Sequence, residues 1–218
     1  MISLLHPTIR PDKWEAGCQD WYKNCSCPES VEYVLVPEKS KFPASFAPSI
    51  PFEHHVVQWN TYPMTLVGAH NCAAEVSHGD VLVIIADKYF SAPHWDTDLL
   101  EVLGEKLNSD AVVWANQTLT YPNGTIDKGH MVHVILTRSY YQKKGYVFHP
   151  DYTDWYADNE FHDVAAGEGI IIDARTKLRF RKLQEMDEFE NRYVRNGEAS
   201  RMIYERRRAN GFPKEIGV

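Results

Sequence analysis

Val81-Leu82-Val83-Ile84-Ile85 is an unbroken aliphatic run that stops at Ala86-Asp87-Lys88. A strand with one wet face alternates polar and apolar residues. A run with no polar position belongs to a strand covered on both faces, as in a parallel sheet between helix layers. The acid at its end matters because ligands of open α/β sheets sit outside the carboxyl ends of the strands. Asp87 can meet a metal, a sugar or a phosphate there. It can equally be a turn-starting residue, a task aspartate performs well.

The rest of the chain alternates in the same way. Strands are predicted at Ile2–His6, Val31–Val36, His55–Gln58, Val81–Ile85, Ala111–Trp114, His130–Leu136, Tyr146–Phe148 and Gly169–Asp173. Helices are predicted over Arg10–Cys25, Thr65–His78, Asp96–Leu107, Arg138–Lys143 and Asp158–Ala166. In the first of these, Pro11 stands near the start and Trp14, Cys18 and Trp21 recur at helical spacing. This order indicates one α/β domain over residues 1–175, with a mixed, mainly parallel sheet flanked by helices. Residues 176–218 read as a basic, mainly helical extension packed on that domain. Eleven Lys/Arg stand against six Asp/Glu between Arg175 and Arg208, whereas the whole chain carries a net −7. A solvated helix face accounts for such a bias, and so does a grip on a polyanion.

Several classes are disfavoured. No apolar stretch has the length needed to span a bilayer, and no signal peptide is evident. The four cysteines do not make a disulfide framework in 218 residues, and Cys25-Ser26-Cys27 is too tight for zinc-knuckle spacing. Reduced thiols and a cytoplasmic location are expected. No strand is followed by GxGxxG or GxxxxGK[ST], and GxSxG is absent. The ten histidines show no HExxH spacing, although His130 and His133 could share a metal at a strand end. A His-rich metallohydrolase is the weakest of the enzyme readings.

Five short motifs, in order, resemble the GT-A glycosyltransferases, in particular family-two-like enzymes of phage and bacterial genomes. Leu4-Leu5-His6-Pro7-Thr8-Ile9-Arg10-Pro11 looks like the opening PT-x-R of that family. Glu38 follows the second strand where the family has an acid that reads the nucleotide base. Gly68-Ala69-His70-Asn71 and Ser77-His78-Gly79-Asp80 are similar to its helix signatures. Ala86-Asp87-Lys88-Tyr89 and Pro93-His94-Trp95-Asp96 resemble the acidic element derived from DxD. Tyr156-Ala157-Asp158-Asn159-Glu160-Phe161 resembles the late element that holds the catalytic base.

The resemblance covers about residues 1–175 and implies a Rossmann-like GT-A domain. That domain would move a hexosyl or pentosyl group from a nucleotide sugar to an acceptor hydroxyl with inversion. Thr8, Arg10, Glu38, Asn71, Asp87 and Lys88 would bind the donor. Asp87 would hold a divalent cation, Mn²⁺ or Mg²⁺, acting as a Lewis acid on the diphosphate. Asp158, with Glu160 second, would take the acceptor's proton. Trp95 and Trp155 would offer aromatic faces to the acceptor, a glycan or a hydroxylated base in phage DNA. The acidic character of residues outside the tail works against strong DNA affinity.

Lys88 departs from the family pattern, which has a second acid there. Either the lysine neutralises diphosphate itself and makes the metal weak or dispensable, or it points into solvent. The family's late histidine also lacks a counterpart, since Phe180-Arg181-Lys182 stands in its place. These departures motivate the alternative of a degenerate module that binds nucleotide sugar or glycan without turnover.

Overall fold

The computed structural model describes residues 1–63, 65–121, 124–127, 131–183 and 197–214. Its strands are β1 (Ile2–Thr8), β2 (Val31–Pro37), β3 (His54–Val57), β4 (Val81–Ile84), β5 (Tyr89–Phe90) and β6 (Val112–Trp114). They continue with β7 (Asn116–Tyr121), β8 (Gly124–Asp127), β9 (Ile135–Thr137), β10 (Ile171–Asp173) and β11 (Arg179–Leu183). The helices are α1 (Trp14–Lys23), α2 (Leu66–Val76), α3 (Trp95–Leu103), α4 (Arg138–Lys144), α5 (Ala157–Gly167) and α6 (Gly197–Ala209).

Seven strands form the main sheet in the order β10-β6-β9-β4-β1-β2-β3. Neighbours are parallel except at β9, which runs against both β4 and β6. The period of two sorts side chains to opposite faces. Ile2, Leu4, Tyr33, Leu35, Val81 and Val83 meet Trp14 and Trp21 of α1 and Trp95 and Leu99 of α3. Leu5, Val34, Leu82 and Ile84 meet Val67 and Ala73 of α2, Tyr140 of α4 and Phe161 of α5. The all-apolar β4 is therefore covered on both sides, as its sequence predicts.

A second sheet, β5-β11-β7-β8, is built from strands the sequence pattern did not disclose. β11 pairs with β5 and β7, and buried Phe180 reaches Trp21 at 5.3 Å between ring centroids. The basic extension thus contributes a strand and a core residue before the helix α6. Three further expectations change. The strand predicted at Tyr146–Phe148 does not form, because the N–H groups of Val147 and Phe148 donate to the Asn71 side chain, at 3.0 and 3.1 Å, instead of a neighbouring strand. The helix predicted over Asp96–Leu107 ends at Leu103, where Gly104 takes φ +46 and a 3₁₀ turn follows. The strand predicted over His130–Leu136 is only Ile135–Thr137, and His130 lies outside the described residues. Among the described residues no helix is long and apolar enough to cross a membrane.

Candidate active site

The carboxyl edge of the main sheet gathers most of the residues singled out from sequence. Thr8 ends β1 and caps the following turn, its Oγ1 accepting from the Arg10 N–H at 3.1 Å. Glu38 follows β2, and its N–H donates to the Thr8 carbonyl at 3.0 Å. Asn60, unflagged in the sequence, donates to Glu38 Oε2 at 3.2 Å, and the Ser40 N–H lies 3.4 Å from Oε1. Glu38 is therefore held in place between the β2 and β3 loops.

Asp87 and Lys88 form the turn between β4 and β5, and both are buried. Asp87 Oδ1 lies 3.0 Å from His6 Nε2, and Oδ2 lies 3.4 Å from Arg10 Nη1. With the carboxylate accepting, His6 carries its proton on Nε2, and its Nδ1 accepts from the Tyr33 hydroxyl. Burial raises the ionisation of Tyr33 well above its ordinary value, with Cys18 and Asp87 adding to the effect. Burial pushes the Cys18 thiol up to about 12. A hydrogen-bonded chain thus runs from buried Tyr33 through His6 to Asp87 and orients its carboxylate. Gly17 of α1 roofs the pair: a Cβ there would stand 3.6 Å from both His6 Cε1 and the Asp87 carbonyl.

A metal that the resemblance places on Asp87 would share its carboxylate with His6 and Arg10. Both carboxylate oxygens are engaged, one of them by a guanidinium. Among the described residues no group of three or more His, Cys, Asp or Glu is placed to hold an ion. Lys88 does not point into solvent, being only 6% exposed.

Asp158 and Trp155 reach the same edge by another route. The turn after α2 meets the amino ends of β1 and β2, where the His78 N–H bonds Glu32 and the Gly79 N–H bonds Ser3. The start of α2 is therefore at the carboxyl edge. There the Val67 N–H donates to the Thr153 carbonyl at 3.2 Å, and the Leu66 N–H to Asp154 at 3.3 Å. This places the segment leading into α5 at the carboxyl edge. Asp158 stands in the first turn of α5, its Oδ1 accepting from the Asn159 N–H at 3.0 Å. Trp155 is 42% exposed beside it.

Three expected site residues are placed elsewhere. Trp95 is buried against Trp21, with ring centroids 5.0 Å apart, and its indole N–H donates to the Trp21 carbonyl. It is a core residue and offers no face to an acceptor. Glu160 is not available as a base, because Arg207 of α6 binds both its oxygens and the Tyr152 hydroxyl donates to it at 2.8 Å. Asn71 accepts from Val147 and Phe148 and donates to the Phe148 carbonyl at 2.8 Å. It positions that segment from inside α2.

The far side of the edge carries a feature the sequence reading missed. A depression of about 460 Å³ is lined by Asn116, Asp173, Arg175, Thr176 and Arg179 at the ends of β6 and β10. Arg175 lies over the Trp114 ring at 3.9 Å and binds Asp173 through two nitrogens, holding that carboxyl down to about 2.

No family model matches the chain, and no curated protein matches it either. Solved structures do. S. aureus TarS superposes with a TM-score of 0.62 at 13% identity, over 87% of this chain and 38% of its own. TarS 1–349 in complex with UDP-GlcNAc gives 0.62 at 12% identity, over 86% of this chain and 59% of that one. GalNAc-T7 with UDP, GalNAc and Mn²⁺ gives 0.63 at 11% identity, over 86% and 44%. The chain spans less than two thirds of each. With a mostly parallel seven-stranded sheet between helix layers and these neighbours, the chain has the GT-A fold.

Proposed function

We propose that the chain transfers a sugar from a nucleoside diphosphate sugar to an acceptor hydroxyl with inversion. The observation that carries this reading is the shared carboxyl edge. It brings Thr8, Arg10, Glu38, Asp87 and Lys88 from β1, β2 and β4 to the same side of the sheet as Asp158 from α5. The solved structures with UDP and UDP-GlcNAc are of the same fold and support the choice of donor class.

In the reaction, Asp158 accepts the proton of the acceptor hydroxyl as its oxygen attacks the anomeric carbon. The new C–O bond forms while the bond to the diphosphate breaks, and that bond's electron pair leaves with the nucleoside diphosphate. Arg10 and Lys88 stabilise the departing charge. The acceptor, a glycan hydroxyl, approaches over Trp155 and the hollow at β6 and β10. Those strands are two and three positions from β4, about 10–14 Å at ~4.8 Å per strand.

The test is a panel of UDP- and GDP-sugars, scored by melting temperature and by nucleoside diphosphate release with glycan and hydroxymethylated DNA acceptors. At least one donor is expected to raise the melting temperature and to be turned over. If no donor shifts melting, the reading fails. Tight donor binding with no release on any acceptor points instead to a module that holds the nucleotide sugar without turnover.

A further inference from the structure

Asp158, the proposed base, stands in the first turn of α5, and α6 grips that turn at both ends. We propose that Tyr204 and Arg207 of α6 are positioning residues that aim the Asp158 carboxylate at the acceptor hydroxyl. Each acts through the turn that carries Asp158. The inference rests on the glycosyl-transfer reading above, with Asp158 as its base.

Three observations carry it. The turn is closed by the Glu160 N–H, which donates to the Tyr156 carbonyl at 3.0 Å, so Asp158 lies midway between two gripped residues. The Tyr204 ring packs on the Tyr156 ring with centroids 5.5 Å apart, and Arg207 binds Glu160 through Nε at 2.7 Å and Nη2 at 2.9 Å. Second, Tyr156 is left-handed, with φ +69 and ψ −5, and no side chain caps the helix there. A bulky residue keeps that conformation only where its surroundings impose it. The ring that imposes it is itself braced: Tyr204 lies 5.8 Å from the Phe212 ring and donates its hydroxyl to Asp163 at 2.5 Å. Third, side chains two positions apart on an α-helix point about 200° apart. With Glu160 buried towards α6, half-buried Asp158 is directed to the other side of α5. The segment before the turn is tied to the start of α2 through Thr153 and Asp154. Loosening the α6 end therefore tilts α5 about that tie and moves Asp158 across the carboxyl edge.

The experiment is steady-state kinetics of the full chain with the UDP- or GDP-sugar that the panel above turns over, alongside titration with the matching nucleotide. Each variant is assayed at a temperature where its melting curve shows it folded. Tyr204→Leu should lower kcat by about 10- to 100-fold, as a displaced catalytic group does. Its nucleotide Kd should change by less than about threefold, the mark of an effect on chemistry alone. Tyr204→Phe keeps the ring and should recover most of the loss in kcat. In an Asp158→Asn background Tyr204→Leu should lower kcat little further, because both changes act on one group. Arg207→Lys keeps the charge but not the fork, and it carries the same comparison if Tyr204→Leu fails to fold. An unchanged kcat in the folded variant, or an equal loss with and without Asp158→Asn, overturns the inference and leaves the glycosyl-transfer reading intact. A parent chain that turns over no donor, or Asp158→Asn at full rate, overturns the reading on which the inference stands.

Discussion

Arg207 and Glu160, distant in the chain, meet in a buried two-point pair, Nε to Oε2 at 2.7 Å and Nη2 to Oε1 at 2.9 Å. The same guanidinium donates to the Pro213 carbonyl at 2.7 Å and stands 3.6 Å from Asp151. Glu160 holds Arg207 above its ordinary ionisation value even though burial opposes this. The pair fastens α6 to the start of α5. Removing one partner leaves an uncompensated buried charge, so Arg207→Met should cost about 3–5 kcal/mol in urea denaturation. Glu160→Gln combined with Arg207→Met should recover much of that loss. If the double variant is no better than Arg207→Met alone, the pair is not the source of the cost.

Asp158→Asn tests the base directly. Turnover should fall by about 10²–10⁴-fold while nucleotide affinity and melting temperature stay near those of the parent. Steady-state kinetics and calorimetry on one preparation separate these effects. An undiminished rate removes Asp158 from the chemistry.

The two tryptophans of the acceptor expectation should separate cleanly. Trp95→Ala empties a core position and should destabilise by about 3–5 kcal/mol. Trp155→Ala should leave stability near that of the parent and raise the acceptor KM about fivefold, corresponding to an aromatic contact of ~1 kcal/mol. Denaturation curves and acceptor titrations give both readings.

His70 makes stability pH-dependent. Burial lowers its value from 6.5 to about 4, against the raising effect of its bond to the Leu66 carbonyl. Between these values the unfolded chain takes up a proton that the folded chain refuses. The contribution is fully present above pH 6.5 and is lost as the pH falls towards 4, by about 3 kcal/mol in all. Comparing wild type with His70→Gln in urea at pH 7 and pH 4.5 should show the variant losing less on acidification. Parallel losses would remove His70 as the cause.

Two glycines facing β1 should respond oppositely to alanine. At Gly79 a Cβ would meet Ser3 Oγ at 2.5 Å and Ser3 N at 2.6 Å. Gly79→Ala should therefore destabilise by roughly 1–3 kcal/mol, as overpacking does. At Gly17, where the nearest atoms are 3.6 Å away, alanine should be accepted, with a helix gain of about 0.5–1 kcal/mol. Paired melting curves check the contrast.

β4 was legible because burial on both faces leaves an unmixed apolar run, and β1 and β2 lie near their predicted places although Ser3, His6 and Glu32 interrupt their apolar residues. β11 was not, because its RFRKL sequence reads as part of a basic tail. The signal was the alternation of Leu178 with Phe180, both buried. Thr8, Arg10, Glu38 and Asp87 could be located from strand ends. The partners that decide their behaviour come from distant segments: His6 meets Asp87 across 81 positions, and Asn71 meets Val147 across 76. Trp95 misled because its motif lies beside the site, while the ring turns inward to Trp21.

The reversed strand β9 has a consequence for how the molecule can change. At its slot between β4 and β6 the sheet's carboxyl edge receives an incoming chain, and His133 enters there beside the Ile84 carbonyl and the Tyr89 ring. It acts as a watershed. The proposed nucleotide-facing groups other than the base lie on one bank, on segments before residue 90, and the hollow at β6 and β10 lies on the other, on later ones. On the proposed reading, substitutions that retune one partner's recognition fall in different stretches of gene from those that retune the other's, so acceptor preference can drift while donor preference is kept.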